Sequence, residues 1–380
     1  MNKLIIIFLL LFEFSSCKNR SSDLVKEDFL GTTFYPLSET ILTDDINIYV
    51  EDIQFIPMGN DENSFFADIM KMLVDKEGNM YILDTRGNIK LFDEDGMYIS
   101  KISNKGRASN EYLSVSDIAI SDKEIIILDG IHIKCYDKIT AEWIRNIEIP
   151  IKSPCDAIAP ASNGGMYLYS AYPASHDMIE GVNDNLLYQI DENGKVIKQL
   201  IRRDDITVSL YNISQTNMNK YYLRPQNSLH IFNLLTEGEV IPKYRFDFEN
   251  KNIPHRYFYE QADGILSKYM MANYYKIPMN LQETDQCLFL RVCGPRANEI
   301  NIVYDKSSSK GIRWRNYECD MMLQILSSDN EYFYAILPEQ QKDANTHGPL
   351  YSYVTSKLEE QNLEWLDKTV VVKIKFKMPE

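Results

Sequence analysis

The sequence contains few residues at the spacings that metal binding or catalysis requires. No two histidines stand at i, i+2 or i, i+4, so a zinc site would need ligands from distant segments of the chain. The five histidines are His132, His176, His230, His255 and His347. The chain also lacks the GxSxG, GxGxxG and P-loop motifs of common hydrolases and nucleotide-binding proteins. We therefore predict no metal site and no cofactor, and we favour a function other than catalysis.

Acidic residues cluster in short segments between apolar runs. The stretch DEDG at residues 93–96 could suggest calcium, but an EF-hand loop needs glycine at its sixth position and an acid at its twelfth, and neither is present. We interpret this stretch, and DENG at residues 191–194, as turns. Asp84 and Asp129 each follow an apolar run, where aspartate commonly accepts hydrogen bonds from the backbone of its own turn. These acids are therefore predicted to be structural.

The N-terminus has the features of a bacterial export signal. Lys3 precedes an apolar run over residues 4–12 that is too short to span a bilayer, and small residues precede Cys17. A cysteine at this position resembles the lipobox of bacterial lipoproteins, in which it becomes the lipidated N-terminus. We predict a signal peptide over residues 1–16, membrane attachment through a lipid on Cys17, and a tether over residues 17–43.

The residues after the cysteine indicate a location in the bacterial envelope. By resemblance to lipoprotein sorting rules, Lys18 indicates the outer membrane, and the lack of an early acidic cluster favours its periplasmic face over the cell surface. The five cysteines that follow Cys17 have no regular spacing that would suggest a disulfide framework. We expect Cys287 and Cys293, which flank a strand-like run, to be buried thiols.

The composition excludes one class of partner. The chain has 380 residues, an ordinary hydrophobic content of 44%, and a net charge of −15. Such an acidic surface repels phosphate backbones, so we do not expect nucleic acid to bind. The 25 tyrosines could stack on sugar rings or anchor a protein partner, although packing between sheets also uses aromatic side chains.

Closely spaced turns and short apolar runs recur along the chain. In residues 73–102, the turns DKEGN, TRGN and DEDG separate short runs of alternating apolar side chains, which indicates an antiparallel meander. The pattern returns at residues 125–149, where Tyr136 stands 44 residues after Phe92. A period of about 40 to 50 residues with about four strands is typical of a propeller blade.

We therefore predict an all-β fold: a six-bladed β-propeller of four-stranded antiparallel blades over residues 44–380. The six predicted blades are 65–103, 113–149, 155–201, 206–248, 282–316 and 320–376. The strand-like segments 46–58 and 368–378 have no sequence neighbour to pair with, so we expect them to meet in the blade that closes the ring. Helical spacing of apolar residues predicts two short helical insertions, at about 250–280 and 338–367.

These features resemble the six-bladed β-propeller lipoproteins of Bacteroides-type bacteria, which are related to NHL-repeat propellers. The resemblance rests on the lipobox, the GNMYILD and LFDEDG turns, GRASNEYLSVSDIAI at residues 106–120, and the closing VVVKIKFK. Family members usually carry a GxGPGEY-like loop. Gly106, Glu111 and Tyr112 fit this loop, whereas its centre differs. The ligand-binding candidates that the resemblance implies are Arg107, Glu111 and Tyr112.

Two functions are compatible with this sequence. The first is an envelope-anchored lipoprotein whose propeller is a non-enzymatic binding module for an envelope protein or an oligosaccharide. The alternative, implied by the resemblance to NHL-type propellers, is a metal-dependent lyase or lactonase with a site in the central channel. A channel enzyme should place two or more His, Asp or Glu side chains from different blades around one point. A purely structural scaffold is a third possibility.

Overall fold

A computed structural model of the chain consists almost entirely of short strands joined by tight turns. The described residues are 32–59, 62–151, 155–170, 185–202, 213–216, 220–223, 231–236, 238–252, 273–275, 278–295, 298–316, 323–337, 348–361 and 369–378. Within them the strands form six sheets. Three strands come from the N-terminal segment: β1 (Thr33–Pro36), β2 (Thr40–Leu42) and β3 (Val50–Pro57).

Each sheet is an antiparallel meander of strands that follow one another in the chain. Sheet 1 has β4 (Ile69–Val74), β5 (Met80–Asp84), β6 (Ile89–Phe92) and β7 (Tyr98–Lys101). Sheet 2 has β8 (Val115–Ile120), β9 (Glu124–Asp129), β10 (His132–Asp137) and β11 (Trp143–Glu148). Sheet 3 has β12 (Ala157–Pro160), β13 (Met166–Tyr169), β14 (Asn185–Ile190) and β15 (Val196–Arg202).

The second half of the chain repeats this arrangement with added strands. Sheet 4 has β16 (Ile213–Thr216), β17 (Lys220–Leu223), β18 (Ile231–Thr236) and β19 (Glu239–Asp247), with β1 as its fifth strand. Sheet 5 has β20 (Pro278–Glu283), β21 (Cys287–Cys293), β22 (Glu299–Asp305) and β23 (Gly311–Asn316), with β2 as its fifth strand. Sheet 6 has β24 (Gln324–Ser328), β25 (Phe333–Leu337), β26 (Val370–Phe376) and β3.

The sheets are arranged radially. The first strand of each sheet contacts the first strand of the next, and β24 contacts β4, which closes an inner ring. Six clusters of buried side chains lie between consecutive sheets, so each sheet is buried on both faces. This is the packing that a propeller uses to cover two apolar faces per sheet. The fold is therefore a mainly-β propeller, with one α-helix among the described residues, which confirms the predicted all-β propeller.

The acidic turns have the structural role that the sequence predicts. In the turn after β6, Asp93 Oδ1 accepts hydrogen bonds from the backbone N–H groups of Asp95 and Met97, at 3.1 and 2.8 Å. Asp191 accepts the same two bonds from Asn193 and Lys195. A glycine with positive φ completes each turn, a conformation that only glycine adopts without strain.

The predicted ring closure is observed. Strand β3 pairs antiparallel with β26, from Pro57 opposite Val370 to Val50 opposite Phe376. The two ends of the chain thus share one sheet, and separating them would expose the edges of that sheet.

The N-terminal segment extends further over the propeller than predicted. Strand β1 pairs parallel with β19, and β2 pairs parallel with β23, so residues 33–57 run successively along sheets 4, 5 and 6. We call residues 33–57 the strap. The predicted tether over residues 17–43 is wrong in its last part, and two sheets have five strands instead of four. Two short strands added to distant partners leave no local pattern in the sequence, which is why they were missed.

One predicted insertion is a helix in the structure. Helix α1 (Pro349–Glu360) begins with proline in its first turn and packs Leu350, Tyr351, Val354 and Leu358 into the core between sheets 5 and 6. It lies within the predicted insertion at 338–367. Most of the other predicted insertion, at about 250–280, lies outside the described residues. No helix among the described residues is long and apolar enough to cross a membrane.

The cysteines and many tyrosines belong to the core. Cys287 and Cys293 are buried thiols that form no disulfide, as predicted, and so are Cys135 and Cys155, while Cys319 lies outside the described residues. Nine of the largest fully buried side chains among the described residues are tyrosines, which supports the packing interpretation for these positions. They are Tyr35, Tyr81, Tyr112, Tyr136, Tyr167, Tyr169, Tyr188, Tyr304 and Tyr334.

We predict that Arg313 holds the strap on sheet 5. Its guanidinium Nη1 donates to the carbonyl oxygens of Leu37 and Thr40, at 2.8 and 3.2 Å. Arg313→Ala removes this charged donor from both carbonyl oxygens and should lower the free energy of unfolding by about 1–3 kcal/mol. Arg315→Ala, an exposed position on the same strand, is the matched control and should change it by less than about 0.5 kcal/mol. Urea denaturation measures both, and equal losses would contradict this role.

Candidate functional site

The connections at one edge of sheets 1 and 2 form a continuous surface. Because successive strands alternate in direction, the segments 62–68, 84–88, 103–114 and 129–131 all lie at this edge. We call these four segments the loop face. The segments entering β4 and β8 are the longer ones, and their backbone is held in place by side chains of the sheets.

Two aspartates fix the loop face from the ends of the second strands. Asp129 accepts hydrogen bonds from the backbone N–H groups of Leu113 and Ser114, the latter at 2.7 Å. Asp84 accepts bonds from Asn88 at 2.7 Å and from Ala67 at 3.2 Å. Both aspartates are therefore structural, as predicted. Asp84 holds its own turn through Asn88 and the segment that enters β4 through Ala67. Asp129 holds the segment that enters β8.

The hydrogen bonds also determine the charge state of Asp84. Burial of this carboxyl disfavours its ionised form, but the hydrogen bonds from the side chain and backbone of Asn88 and from the backbone of Ala67 outweigh burial and lower its pKa. The carboxylate thus stays ionised and remains an acceptor for the loop backbone.

Two buried lysines complete the attachment. The Lys90 Nζ on β6 donates to the carbonyl oxygens of Asn63 and Phe65, and the Lys134 Nζ on β10 donates to the carbonyl oxygen of Ser109 at 3.1 Å. These lysines stand 44 residues apart, the same offset that relates the two repeats. Each of sheets 1 and 2 therefore uses one aspartate for loop N–H groups and one lysine for loop carbonyls. We call this arrangement the Asp–Lys clamp.

Sheet 2 adds two further hydrogen bonds to the centre of segment 103–114. Tyr136 donates through its hydroxyl to the carbonyl of Asn110 at 3.0 Å, and Asn146 donates through its amide to the carbonyl of Ser109 at 2.9 Å. The centre of this loop is where the sequence departs from the family pattern. The hydrogen bonds go to main-chain carbonyls, so the loop conformation does not depend on the side chains there.

The three candidate residues of this loop have different environments. Tyr112 is completely buried, and burial raises its pKa to about 12. Glu111 accepts a hydrogen bond from the backbone N–H of Ala108 at 3.0 Å and fills the space beside Gly106, where a Cβ atom would lie 1.8 Å from its Oε2. Arg107 is exposed. Ligand binding by these residues stays a prediction, and Arg107 is the one placed to contact a partner.

The loop face also exposes large apolar side chains that sequence reasoning did not single out. Phe65 is 64% exposed, Leu113 is 61% exposed and Ile131 is 55% exposed. Arg86 and Lys105 are exposed beside them. The place of Phe65 and Leu113 in the sequence could have indicated that they lie on this surface, since both residues come just before the first strand of a repeat.

The opposite edge of the sheets, which we call the turn face, contains a cavity of about 710 Å³ beside sheets 2 and 3. Its wall includes Glu124 and Arg145, which form a bidentate ion pair with Arg145 Nη2 at 3.0 Å from Glu124 Oε2. This pairing raises the pKa of Arg145. Tyr221 donates through its hydroxyl to the carbonyl of Ile120 at 2.6 Å. These three polar side chains are engaged within the protein, which makes the cavity a weaker candidate than the loop face.

The inner ring brings charged groups from different sheets together. Lys71 of β4 lies 2.7 Å from the carboxylate of Asp117 on β8, and Asp117 also accepts a hydrogen bond from the backbone N–H of Ile158 on β12 at 3.0 Å. This network joins sheets 1, 2 and 3 and contains a single carboxylate. Within the described ranges no group of three or more His, Cys, Asp or Glu side chains could hold a metal ion.

The histidines leave the alternative hypothesis untested. His132 is exposed at the start of β10. The four others, His176, His230, His255 and His347, lie outside the described residues, as does Cys17. A metal-dependent channel enzyme therefore stays a hypothesis derived from the sequence resemblance.

The family assignment follows from the whole propeller. The sequence matches the family model described as a domain of unknown function, DUF4934, over residues 37–371, which include strands of all six sheets. The chain belongs to the DUF4934 family. No functionally curated protein matches the sequence. The family's description therefore gives no activity that could be transferred to the loop face.

Solved structures show a similar fold. A protein of Bacteroides fragilis described as exported has a TM-score of 0.72 and 13% identity, covering 91% of this chain and 100% of its own. A member of the DUF4221 family from Bacteroides vulgatus has a TM-score of 0.52 and 12% identity, covering 87% of this chain and 98% of its own. The predicted resemblance to propellers of Bacteroides-type bacteria is thus confirmed for the fold.

We predict that the clamp makes the protein sensitive to acid. Because the pKa of Asp84 is lowered on folding, its contribution to stability is present above the unfolded pKa of about 3.9 and is lost as the pH falls through the folded pKa. Asp84→Asn should reduce the free energy of unfolding by about 1–2 kcal/mol at neutral pH. The difference from the wild type should shrink as the pH falls below the unfolded pKa and through the lower folded pKa.

The matched control for this experiment is Asp95→Asn, in the exposed turn after β6. Its free energy of unfolding should follow that of the wild type across the whole pH range. Urea denaturation at each pH measures all three proteins. If the difference between Asp84→Asn and the wild type stayed constant on acidification, the ionised carboxylate would not be what holds the loop.

Proposed function

We propose that this protein is an envelope-anchored lipoprotein whose propeller is a non-enzymatic binding module for a protein or glycan partner. The observation that carries this proposal is the loop face, where clamped backbone segments present exposed apolar and basic side chains. Preorganised loops lose little conformational entropy when a partner binds. Rigid sheets that position connecting loops are also a common way to build a recognition surface.

We further assign one blade to each of the six sheets. The closed ring of first strands and the six core clusters between consecutive sheets support this assignment. The strap then contributes a fifth strand to the fourth and fifth blades and completes the sixth. In a ring closed in this way, the loop face of the first two blades is a fixed surface.

The chemistry of the loop face favours binding over catalysis. Asp84, Asp129 and Glu111 use their carboxylates to hold backbone N–H groups. Groups committed in this way stabilise the loops and do not transfer protons at a substrate. The exposed Arg107 and Phe65 are residue types that contribute strongly to binding interfaces.

The envelope location is supported by the N-terminal sequence and by the fold. The apolar run and Cys17 match a lipoprotein signal, and the similar structure from Bacteroides fragilis is described as exported. We propose the periplasmic face of the outer membrane as the site of anchoring.

The lipid anchor is tested by one substitution. Cys17→Ala removes the thiol that would carry the lipid and should move the protein from the membrane pellet to the soluble fraction of lysed cells. Cys135→Ala, which removes a buried free thiol elsewhere, is the control and should leave the fractionation unchanged. Recovery of Cys17→Ala in the membrane pellet would contradict lipidation.

The loop face is tested by crosslinking in intact cells. Benzoylphenylalanine placed at Leu113 should give, on irradiation, a discrete covalent adduct that is visible on a denaturing gel. The same group at Met97, which is 59% exposed on the turn face, is the matched control and should give none. Since the photoproduct forms with C–H bonds of proteins and glycans alike, the experiment does not presuppose the class of partner. Absence of an adduct at Leu113, or equal adducts at both positions, would contradict the proposal.

A further inference from the structure

The basic and apolar side chains of the loop face belong to one continuous surface. The Lys105 Nζ donates to the carbonyl oxygen of Arg86, which joins segment 103–114 to the turn after β5. Lys105 also pairs with Tyr112 in a parallel β-bridge, which brings it next to Leu113. These contacts cross the boundary between sheets 1 and 2.

The same surface continues to both sides. Leu113 is attached to Asp129, two residues before Ile131, and Thr85 donates its N–H to the carbonyl of Asp68 at 2.7 Å. Phe65, whose own carbonyl is held by Lys90, lies three residues before Asp68. A partner that covers Leu113 can therefore reach an apolar group on each side and the basic groups between them.

The apolar groups need a partner that offers apolar side chains. Phe65, Leu113 and Ile131 are each more than half exposed, although they lie on a backbone that is firmly held. Exposed apolar side chains grouped on one surface commonly mark an interaction site. Leu113 and Ile131 are aliphatic and offer contact area instead of a flat ring face, which suits an apolar side chain better than a sugar ring.

The exposed charges of the loop face favour a partner that is negatively charged. Arg86, Lys105 and Arg107 are exposed on a protein whose net charge is −15. The nearby carboxylates of Asp84, Asp129 and Glu111 are engaged with backbone N–H groups, while Glu62 and Asp68 are exposed in segment 62–68 at the edge of the surface. An acidic partner is attracted to these three cations and repelled by the acidic remainder of the protein, which orients its approach.

We propose that the loop face of sheets 1 and 2 binds a polypeptide segment in which aliphatic or aromatic side chains alternate with carboxylates. This inference rests on the proposed binding function and names the class of the partner. The apolar side chains of the segment contact Phe65, Leu113 and Ile131. Its carboxylates pair with Arg86, Lys105 and Arg107.

The test uses a synthetic peptide in which leucine and phenylalanine alternate with glutamate, and a second peptide with glutamine in place of glutamate. Each is labelled with a fluorophore and titrated with the lipidated full chain in detergent micelles, with fluorescence anisotropy as the readout. The glutamate peptide should bind, and the glutamine peptide should bind about tenfold more weakly or not at all. Added salt should weaken the first far more than the second.

Variants locate the binding surface. Arg86→Ala combined with Arg107→Ala should weaken binding of the glutamate peptide by about tenfold or more. Lys76→Ala combined with Lys123→Ala removes the same charge from exposed positions on the turn face and should have no comparable effect. Leu113→Ser should also weaken binding, whereas Met97→Ser should not. Circular dichroism confirms that each variant is folded.

The outcomes separate this inference from the proposed function. If a polygalacturonate oligosaccharide binds at the loop face and the glutamate peptide does not, the partner class is an acidic glycan, which overturns this inference and leaves the proposed function intact. If the glutamate and glutamine peptides bind equally, or if the turn-face variants weaken binding as much as the loop-face variants, the inference is wrong. Failure of the Leu113 crosslink in cells, by contrast, removes the proposed function itself.

Discussion

The pairing of the two chain ends in sheet 6 is the constraint on which the propeller depends. Six radial sheets bury both of their faces only if the last sheet packs against the first, and here β3 and β26 complete that last sheet from opposite ends of the sequence. The strap adds to this closure because it also pairs with sheets 4 and 5. The N-terminal segment therefore contributes strand pairs to three sheets and not to one.

A closed ring makes rigid loops possible. The Asp–Lys clamp attaches each entering segment to strands of its own sheet, and the Lys71–Asp117 pair joins the first strands of neighbouring sheets. The position of segment 103–114 is thus determined by sheets 1 and 2 together. Burying these aspartate and lysine side chains without hydrogen bonds would cost free energy. In this network each of them forms hydrogen bonds with backbone groups. The rigidity of the loop face is a consequence of packing elsewhere in the ring.

Most of the fold could be predicted from the sequence because its signals are local. Acidic turns such as residues 93–96 and the 44-residue repeat lie within single sheets, and the strong terminal strands had no alternative neighbour. The first two strands of the strap could not be predicted because β1 and β2 pair with strands hundreds of residues away. In the loop, Tyr112 and Glu111 fit a family motif, and the structure places Tyr112 in the core and Glu111 in a turn, while their role in ligand binding stays a prediction. The sequence does not indicate that Lys90 and Lys134 are buried. Lysine is rarely buried unless it has a polar partner, and here the partners are backbone carbonyls that only the fold brings close.

The strap also relates the proposed anchor to the proposed binding surface. The residues between Cys17 and Thr32 can span at most about 50 Å when fully extended, so a lipid on Cys17 keeps the propeller close to the membrane. The strap enters the ring at sheet 4, which lies across the ring from sheet 1. If the protein is anchored through Cys17 as proposed, its attachment lies across the ring from sheets 1 and 2, and the proposed lipid and the proposed partner would not compete for the same surface. This separation is what a tethered binding module requires, and in this chain it results from the same strands that close the ring.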